Sequence, residues 1–302
     1  MKYIMIGTAC LMVIGIIAGT YFFEKEPHVT QPETPEISDP GPPPLQAVNE
    51  AATVGYSLQQ EQLQTTYNNG EKWIQVPVEK ENLFQGEYSG SEDELIEDSY
   101  ILTEDLAAFL YARDYSVDKS VRLLFSKDKG ETWEDAQVTA SSPPIRFRKV
   151  GFLNESSGYV ILSADRTMSQ ELTTVYLTKD GGESWKETPR PDTTRLIYDG
   201  GFVDEDTGFL SFGILNPEEP DLHVTQDGGN SWNKAAMEIP DQYKRIFVMA
   251  EVPFKEGDHL TACVKQGPNG DYKGGKVKGK FISEDQGRTW SFQEEVQPDE
   301  TD

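Results

Sequence analysis

Basic side chains are scarce in this chain: 27 Lys and Arg stand against 52 Asp and Glu, a formal net charge of −25 at pH 7. So acidic a surface repels phosphate backbones and anionic headgroups, which excludes nucleic acid and leaves basic partners, divalent cations or plain solubility for the charge to serve. Histidine is limited to His28, His223 and His259. That is poor material for a histidine-built zinc centre or a His-based triad, and His223 reads as an ordinary strand histidine. The two cysteines, Cys10 and Cys263, build no disulfide framework. An exported domain without disulfides is held by its core, so many tightly packed strands are the expected solution. No Gly-x-Ser-x-Gly elbow occurs. The acidic stretch Ser91 to Asp98 lacks the Asp-x-Asp-x-Asp-Gly order of a calcium loop and reads as a solvated loop. The lysine-rich insert Gly267 to Lys280 lacks the Gly-Lys-Ser/Thr ending of a phosphate loop and reads as a mobile hairpin tip. The sequence nominates no catalytic, cofactor-binding or metal-ligating residue, and implies no cofactor.

Long hydrophobic runs are also lacking, with one exception. Tyr3 to Phe23 is uncharged over 21 residues, about 31 Å as a helix, which matches a bilayer's hydrocarbon core. Lys2 ahead of it and Glu24-Lys25-Glu26 behind place the N-terminus in the cytoplasm and the rest outside. Residues 1–24 are therefore expected to be a single-pass transmembrane anchor, with the membrane as a partner and the C-terminal domain extracytoplasmic. A signal peptide cut near Ala18-Gly19-Thr20 is the competing reading. Residues 25–46, running through Gly41-Pro42-Pro43-Pro44, form an extended proline-rich spacer. The folded domain is expected at 47–302.

What the domain has in abundance is one octapeptide. Thr225 to Trp232 spells Ser/Thr-x-Asp-x-Gly-x-Ser/Thr-Trp, and so do Ser126 to Trp133, Thr178 to Trp185 and Ser283 to Trp290. A weaker copy, Thr66 to Trp73, carries Asn68 in place of Asp. The pairs Asp128/Gly130, Asp180/Gly182, Asp227/Gly229 and Asp285/Gly287, with Asn68/Gly70, are turn chemistry: the carboxylate accepts from amides just ahead, and glycine supplies a positive φ that other residues resist. Each turn follows a β-branched or apolar segment, so it joins two strands of a hairpin. Trp73, Trp133, Trp185, Trp232 and Trp290 each close one copy and are all the tryptophans there are, so they share one structural duty.

This spelling resembles the Asp-box, or bacterial neuraminidase repeat, of β-propellers such as sialidases and sortilin-like receptors. The tryptophans recur every 47 to 60 residues, a period that fits four-stranded blades. A second landmark, Phe152 to Val160, matches Phe202 to Leu210, and this order of aromatic-Gly hairpin then box is closest to the photosystem II assembly-factor type of repeat protein. The expected fold is all-β: a β-propeller of about five four-stranded blades with Asp-box turns, its first unit a strand short, preceded by one transmembrane helix. In the families it resembles, the box lies away from the functional face.

The function this suggests is a non-catalytic binding or assembly module for protein or glycan partners, with hairpin tips opposite the boxes, Asn154, Glu155, Asp204 and Glu205, as binding residues. The oligomeric state is left open. The alternative is a sialidase-like glycoside hydrolase. That family clamps a substrate carboxylate with three arginines, the first in a Phe/Tyr-Arg-Ile-Pro motif ahead of the first box. Here the first arginine is Arg113, and the nearest look-alike, Ile145-Arg146-Phe147-Arg148, follows the second copy and lacks Ile-Pro.

Overall fold

Short β-branched and apolar segments separated by tight turns become short antiparallel strands. The computed structural model describes residues 53–297 apart from Val117, so the expected anchor and spacer lie outside the described residues. Among the described residues no helix is long and apolar enough to cross a membrane. The strands form five successive sheets. The first comprises β1 (Gly55–Ser57), β2 (Gln62–Thr66) and β3 (Ile74–Glu79). The second comprises β4 (Tyr100–Leu102), β5 (Ala107–Ala112), β6 (Val121–Ser126) and β7 (Glu134–Thr139). The third is β8 (Ile145–Phe152), β9 (Gly158–Ala164), β10 (Leu172–Thr178) and β11 (Lys186–Glu187), and the fourth is β12 (Ile197–Phe202), β13 (Gly208–Phe212), β14 (Asp221–Thr225) and β15 (Asn233–Lys234). The fifth holds β16 (Ala236–Glu238), β17 (Phe247–Ala250), β18 (Phe254–Glu256), β19 (His259–Gln266), β20 (Lys278–Ser283) and β21 (Thr289–Val296). Its β16 pairs parallel with β21, while the other pairs are antiparallel. This all-β arrangement of consecutive sheets is consistent with a β-propeller.

The sheets stack because a strand's side chains alternate between its two faces. All six residues of β5 are buried, and they divide by parity. Ala108, Leu110 and Ala112 join a core shared with Val150, Val160 and Leu162 of the third sheet. Ala107, Phe109 and Tyr111 join one shared with Leu63 and Val76 of the first. The odd residues Ile161 and Val175 of the third sheet likewise meet Ile197, Leu210 and Phe212 of the fourth, and Phe209, Leu222 and Val224 meet Phe247 and Phe281 of the fifth. Each fully buried Leu or Phe contributes about 2–3 kcal/mol. Among the described residues, none of the four apolar clusters joins the fifth sheet to the first.

The repeated octapeptide joins the last two strands of each four-stranded sheet. In the third sheet the Asp180 carboxylate accepts from the Thr178 hydroxyl (2.7 Å) and the Ser184 amide (2.9 Å) and hydroxyl, while the Gly182 amide donates to the Thr178 hydroxyl (2.9 Å). Asp128, Asp227 and Asp285 repeat these bonds. The hydroxyl of Ser184 first, then its amide, holds the Asp180 carboxyl at about 2, and Thr132 does the same for Asp128. Asn68 accepts from the Thr66 hydroxyl and the Lys72 amide, but Lys72 has no hydroxyl to complete the set. The tryptophans do not share one degree of burial: Trp290 is fully buried, whereas the other four are half-buried.

The glycines of the turns do more than expected, and they do it in company. The amides of Gly70, Gly130, Gly229 and Gly287 donate to the hydroxyls of Thr66 (2.9 Å), Ser126, Thr225 and Ser283 (each 2.8 Å), repeating the Gly182 bond. Gly70, Gly130, Gly182, Gly229 and Gly287 hold φ of 83°, 80°, 99°, 77° and 87°, as turn chemistry requires. They are not the only left-handed residues there. The residue before each one, Asn69, Lys129, Gly181, Gly228 or Gln286, has a φ of 59°, 59°, 72°, 63° or 61°. The reason is the twist of the strands: a hairpin turn that matches it needs positive φ at both central residues. The Glu71 and Glu131 amides close such turns on the Asn68 and Asp128 carbonyls, both at 3.3 Å.

Two further expectations need correcting. The acidic stretch Ser91 to Asp98 is exposed loop except that Leu95 is buried and Ile96 half-buried, and ahead of it a short helix α1 (Lys80–Phe84) buries Leu83 and Phe84. The insert after Gly267 is tied down rather than free. Gln266 donates to the Tyr272 and Val277 carbonyls, and Glu295 accepts from Tyr243, Tyr272 and Lys273.

Candidate functional site at the inner strands

The first strands of the second, third and fourth sheets lie at the edges of their sheets and touch one another, β8 meeting both β4 and β12. A polar group occupies this junction. Lys149 of β8, whose side chain is 15% exposed, lies 3.1 Å from the Asp98 carboxylate just ahead of β4 and 2.8 Å from Asp199 of β12. Burial pushes the Lys149 ammonium down, but the Asp199 hydrogen bond and the charges of both carboxylates outweigh it and raise its pKa. The oxygens facing Lys149 therefore stand no more than about 6 Å apart, nearer the spacing of a retaining than of an inverting carboxylate pair. Asp199 also accepts from the Gly200 amide at 2.7 Å. Asp98 has a left-handed backbone (φ 61°), and its carbonyl accepts from the Val150 amide at 2.9 Å.

Beside the trio lies Tyr159, whose phenol is raised by burial, its ring 5.3 Å from that of Phe202. Gly151 and Gly201 make the space: a Cβ on Gly151 would fall inside the Tyr159 ring. The strand carrying Asp199 is anchored from below. Arg146 makes a bidentate pair with the fully buried Glu171, both bonds 2.6 Å. Glu171 also accepts from the Ile197 amide (2.7 Å), and Arg146 donates to the Ile197 carbonyl (2.7 Å). Arg195 bonds Asp221 at 2.6 Å, and Asp221 faces His223 at 3.3 Å. Burial pushes the Asp221 carboxyl up, but the bonds from His223 and Arg195 prevail and hold it at about 2. His223 is thus a strand histidine with a buried carboxylate partner.

Arg146, Arg195 and Arg148 do not together form the three-fold clamp of the sialidase alternative. Arg146 and Arg195 face different carboxylates, and Arg148 turns to the Leu83 and Gln85 carbonyls, where burial lowers it to about 10.

The four hairpin tips lie at the end of the sheets that carries the Asp-Gly turns, not at the opposite end. The physical reason is parity: in an antiparallel sheet the first and third connections share an end. Gly181 accordingly donates to Ser156, and Gly228 to Asp206. The tips bridge adjacent sheets. Asn154 and Ser157 donate to Glu205 (3.2 and 2.7 Å), which lowers its pKa, and Asp204 pairs with Lys255 at 2.8 Å. Glu155 is exposed beside Lys127 at the same end. The amides of Gly70, Gly130, Gly182, Gly229 and Gly287 bond within their own turns, and the structure brings none of them to the Lys149 group. Neither Asp98 nor Asp199 was legible as a site. Asp98 closes the acidic stretch and Asp199 sits in an unremarkable Tyr-Asp-Gly, and among 52 acidic residues only spatial pairing separates these two. Among the described residues no group of three His, Cys, Asp or Glu is arranged to hold a metal ion.

No family model and no curated protein sequence matches the chain. Solved structures do resemble it. A GH43 enzyme from Xanthomonas citri, complexed with xylose, is 13% identical with a TM-score of 0.39 over 72% of this chain and 75% of that one. A GH74 xyloglucanase from Xanthomonas campestris is 14% identical with a TM-score of 0.43, covering 77% of this chain but 34% of its own. A family 117 glycoside hydrolase from the marine bacterium Zobellia galactanivorans is 11% identical with a TM-score of 0.39, over 66% and 68%. At these identities the likeness is one of fold. Where the sequence led to the expectation of a non-catalytic binding or assembly module, these three structures are glycoside hydrolases, the class of the alternative reading.

Proposed function

We propose that the protein cleaves glycosidic bonds, with Asp98 and Asp199 as the working carboxylates. The observation that carries this is the pair itself: carboxylates from two sheets, fixed about one half-buried lysine at the junction of the inner strands. Glycoside hydrolysis needs little more than two carboxyl groups at a set distance. Asp199, oriented by the Gly200 amide and Lys149, attacks the anomeric carbon and forms a glycosyl ester as the bond to the leaving oxygen breaks. Asp98, with 43% of its side chain exposed against 25% for Asp199, takes up a proton from solvent once Lys149 has left it, donates that proton to the leaving oxygen and then takes one from the water that hydrolyses the ester. Substrate entry must first separate Asp98 from the Lys149 ammonium. Tyr159 forms one wall.

The finer architecture belongs to the same reading: five blades, one per sheet, with Asp-box turns. Attachment to the cell membrane through residues 1–24, with the domain outside, rests on the apolar run and the spacer.

The test is turnover by the full chain on a panel of aryl glycosides that includes a sialoside. Asp199→Asn should lower kcat by roughly a thousandfold with KM little changed. A panel left untouched by the wild-type chain, or a variant as active as wild type, would sink the proposal.

A further inference from the structure

The strand that carries Asp199 departs from strict alternation just ahead of it. Ile197 belongs to the core shared with the third sheet, and a Cβ on Gly200 would meet Ile161 of that same core. Regular alternation sets residues three apart on opposite faces, so β12 holds one residue too many between these two. The register shifts there: Ile197 pairs with Phe212, and Asp199 with the adjacent Ser211. Ser211 alternates with Leu210 and Phe212, which lie in the core, so Asp199 faces away from it. Tyr198 faces away as well, its ring meeting Lys265 of β19 in the fifth sheet. The bulge thus sets Tyr198 and Asp199 side by side on one face.

The Lys265 ammonium stands 4.4 Å from the centroid of the Tyr198 ring. A ring holds a cation through its quadrupole, for about 0.5–2 kcal/mol, and neither neutralises it nor uses up its three donors. Among the described residues, every other Lys or Arg that is at least half-buried meets oxygen, Arg148 through two carbonyls and the rest through a carboxylate. Lys265, itself half-buried, meets the ring alone. Glu251 of the same sheet is taken by Lys278 at 3.0 Å. Tyr198 therefore positions a cation and leaves its charge unanswered.

In the hydrolysis by Asp98 and Asp199, Asp98 is protonated when the leaving group departs. The centre then holds Asp199 against Lys149 and Lys265, one positive charge in excess, in a chain whose net charge is −25. Salt screens the distant acidic surface beyond about 8 Å, so the local excess governs what binds. We propose that Lys265, held by Tyr198, selects glycosides of uronic acids, its ammonium taking the sugar carboxylate while the anomeric carbon meets Asp199. The assignment rests on hydrolysis by Asp98 and Asp199 and adds the substrate class to it.

The full chain is assayed on 4-nitrophenyl glucosides and galactosides, α and β, and on the matching glucuronides and galacturonides, which carry a carboxylate in place of a hydroxymethyl group. A uronide should exceed its neutral counterpart at least about tenfold in kcat/KM, and the ratio should fall with salt. Lys265→Met, which keeps an apolar stem beside the ring, should bring the ratio close to unity by raising KM, whereas Lys265→Arg should preserve it. A second readout needs no turnover. Asp199→Asn, titrated calorimetrically, should bind galacturonate or glucuronate at least about tenfold more tightly than galactose or glucose, and should lose the difference once Lys265→Met is added. Uronate binding of this kind without turnover of any glycoside would remove the hydrolytic reading and leave the carboxylate site standing. Turnover without preference for a uronide, a preference that survives Lys265→Met, or no uronate binding would each overturn the assignment.

Discussion

The two ends of the sheets are held by different physics. At the end with the Asp-Gly turns, the carboxylate of each turn is satisfied by residues within four positions of it, in a pattern repeated sheet after sheet. At the other end Arg146 reaches Glu171 and the Ile197 carbonyl across 25 and 51 residues of sequence, and Arg195 reaches Asp221 across 26, both carboxylates being buried. Local bonds repeat because they need only the octapeptide. Long-range bonds are each built once, because each needs two particular loops to meet. The difference separates what shapes a turn from what ties distant stretches of chain together.

The largest expected effect lies at the second end. Glu171→Ala would leave the Arg146 guanidinium buried without its partner and the Ile197 amide without an acceptor, at a cost of about 3–5 kcal/mol in urea unfolding. A loss as small as that of a turn mutant would erase the contrast. Asp221 sharpens it through pH. Because its folded pKa is depressed to about 2 by His223 and Arg195, its contribution is fully present above the unfolded carboxyl value. That stability, on the order of 2 kcal/mol, is lost as pH falls from about 4 towards 2. Asp221→Asn should therefore flatten the acid limb of an unfolding-against-pH curve, and an unchanged limb would assign that limb to other groups. The smallest effect is a gain at the first end. Completing the weak copy with Asn68→Asp and Lys72→Thr adds the missing hydroxyl bond and should raise stability by about 0.5–1 kcal/mol in a thermal melt.

The same contrast explains what could be read from the sequence. The octapeptides gave the hairpins, and the match of Phe152 to Val160 with Phe202 to Leu210 gave the strands on either side, because both signals are local. The first unit's missing strand was legible too: its sheet has three. The second left-handed residue of each turn was not, since Lys129 and Gln286 are side chains that no turn preference marks for that conformation. The end on which Asn154 and Asp204 lie was misplaced, since it follows from counting connections through an antiparallel sheet rather than from the residues at the tip. Asp98 and Asp199 were invisible, being 101 positions apart in an acidic chain and joined only through Lys149. Burial of Leu83 and Phe84 was hidden by the acidic residues around them.

At Ala235 and Ala236 the chain changes allegiance between one residue and the next. The Ala235 amide donates to Leu222 of the fourth sheet and the Ala236 amide to Arg288 beside the fifth. A hinge needs a residue or two free to rotate, and here consecutive peptide units are committed on opposite sides. The passage from the fourth sheet to the fifth therefore has no free peptide at this step, and the two sheets are pinned to one another here.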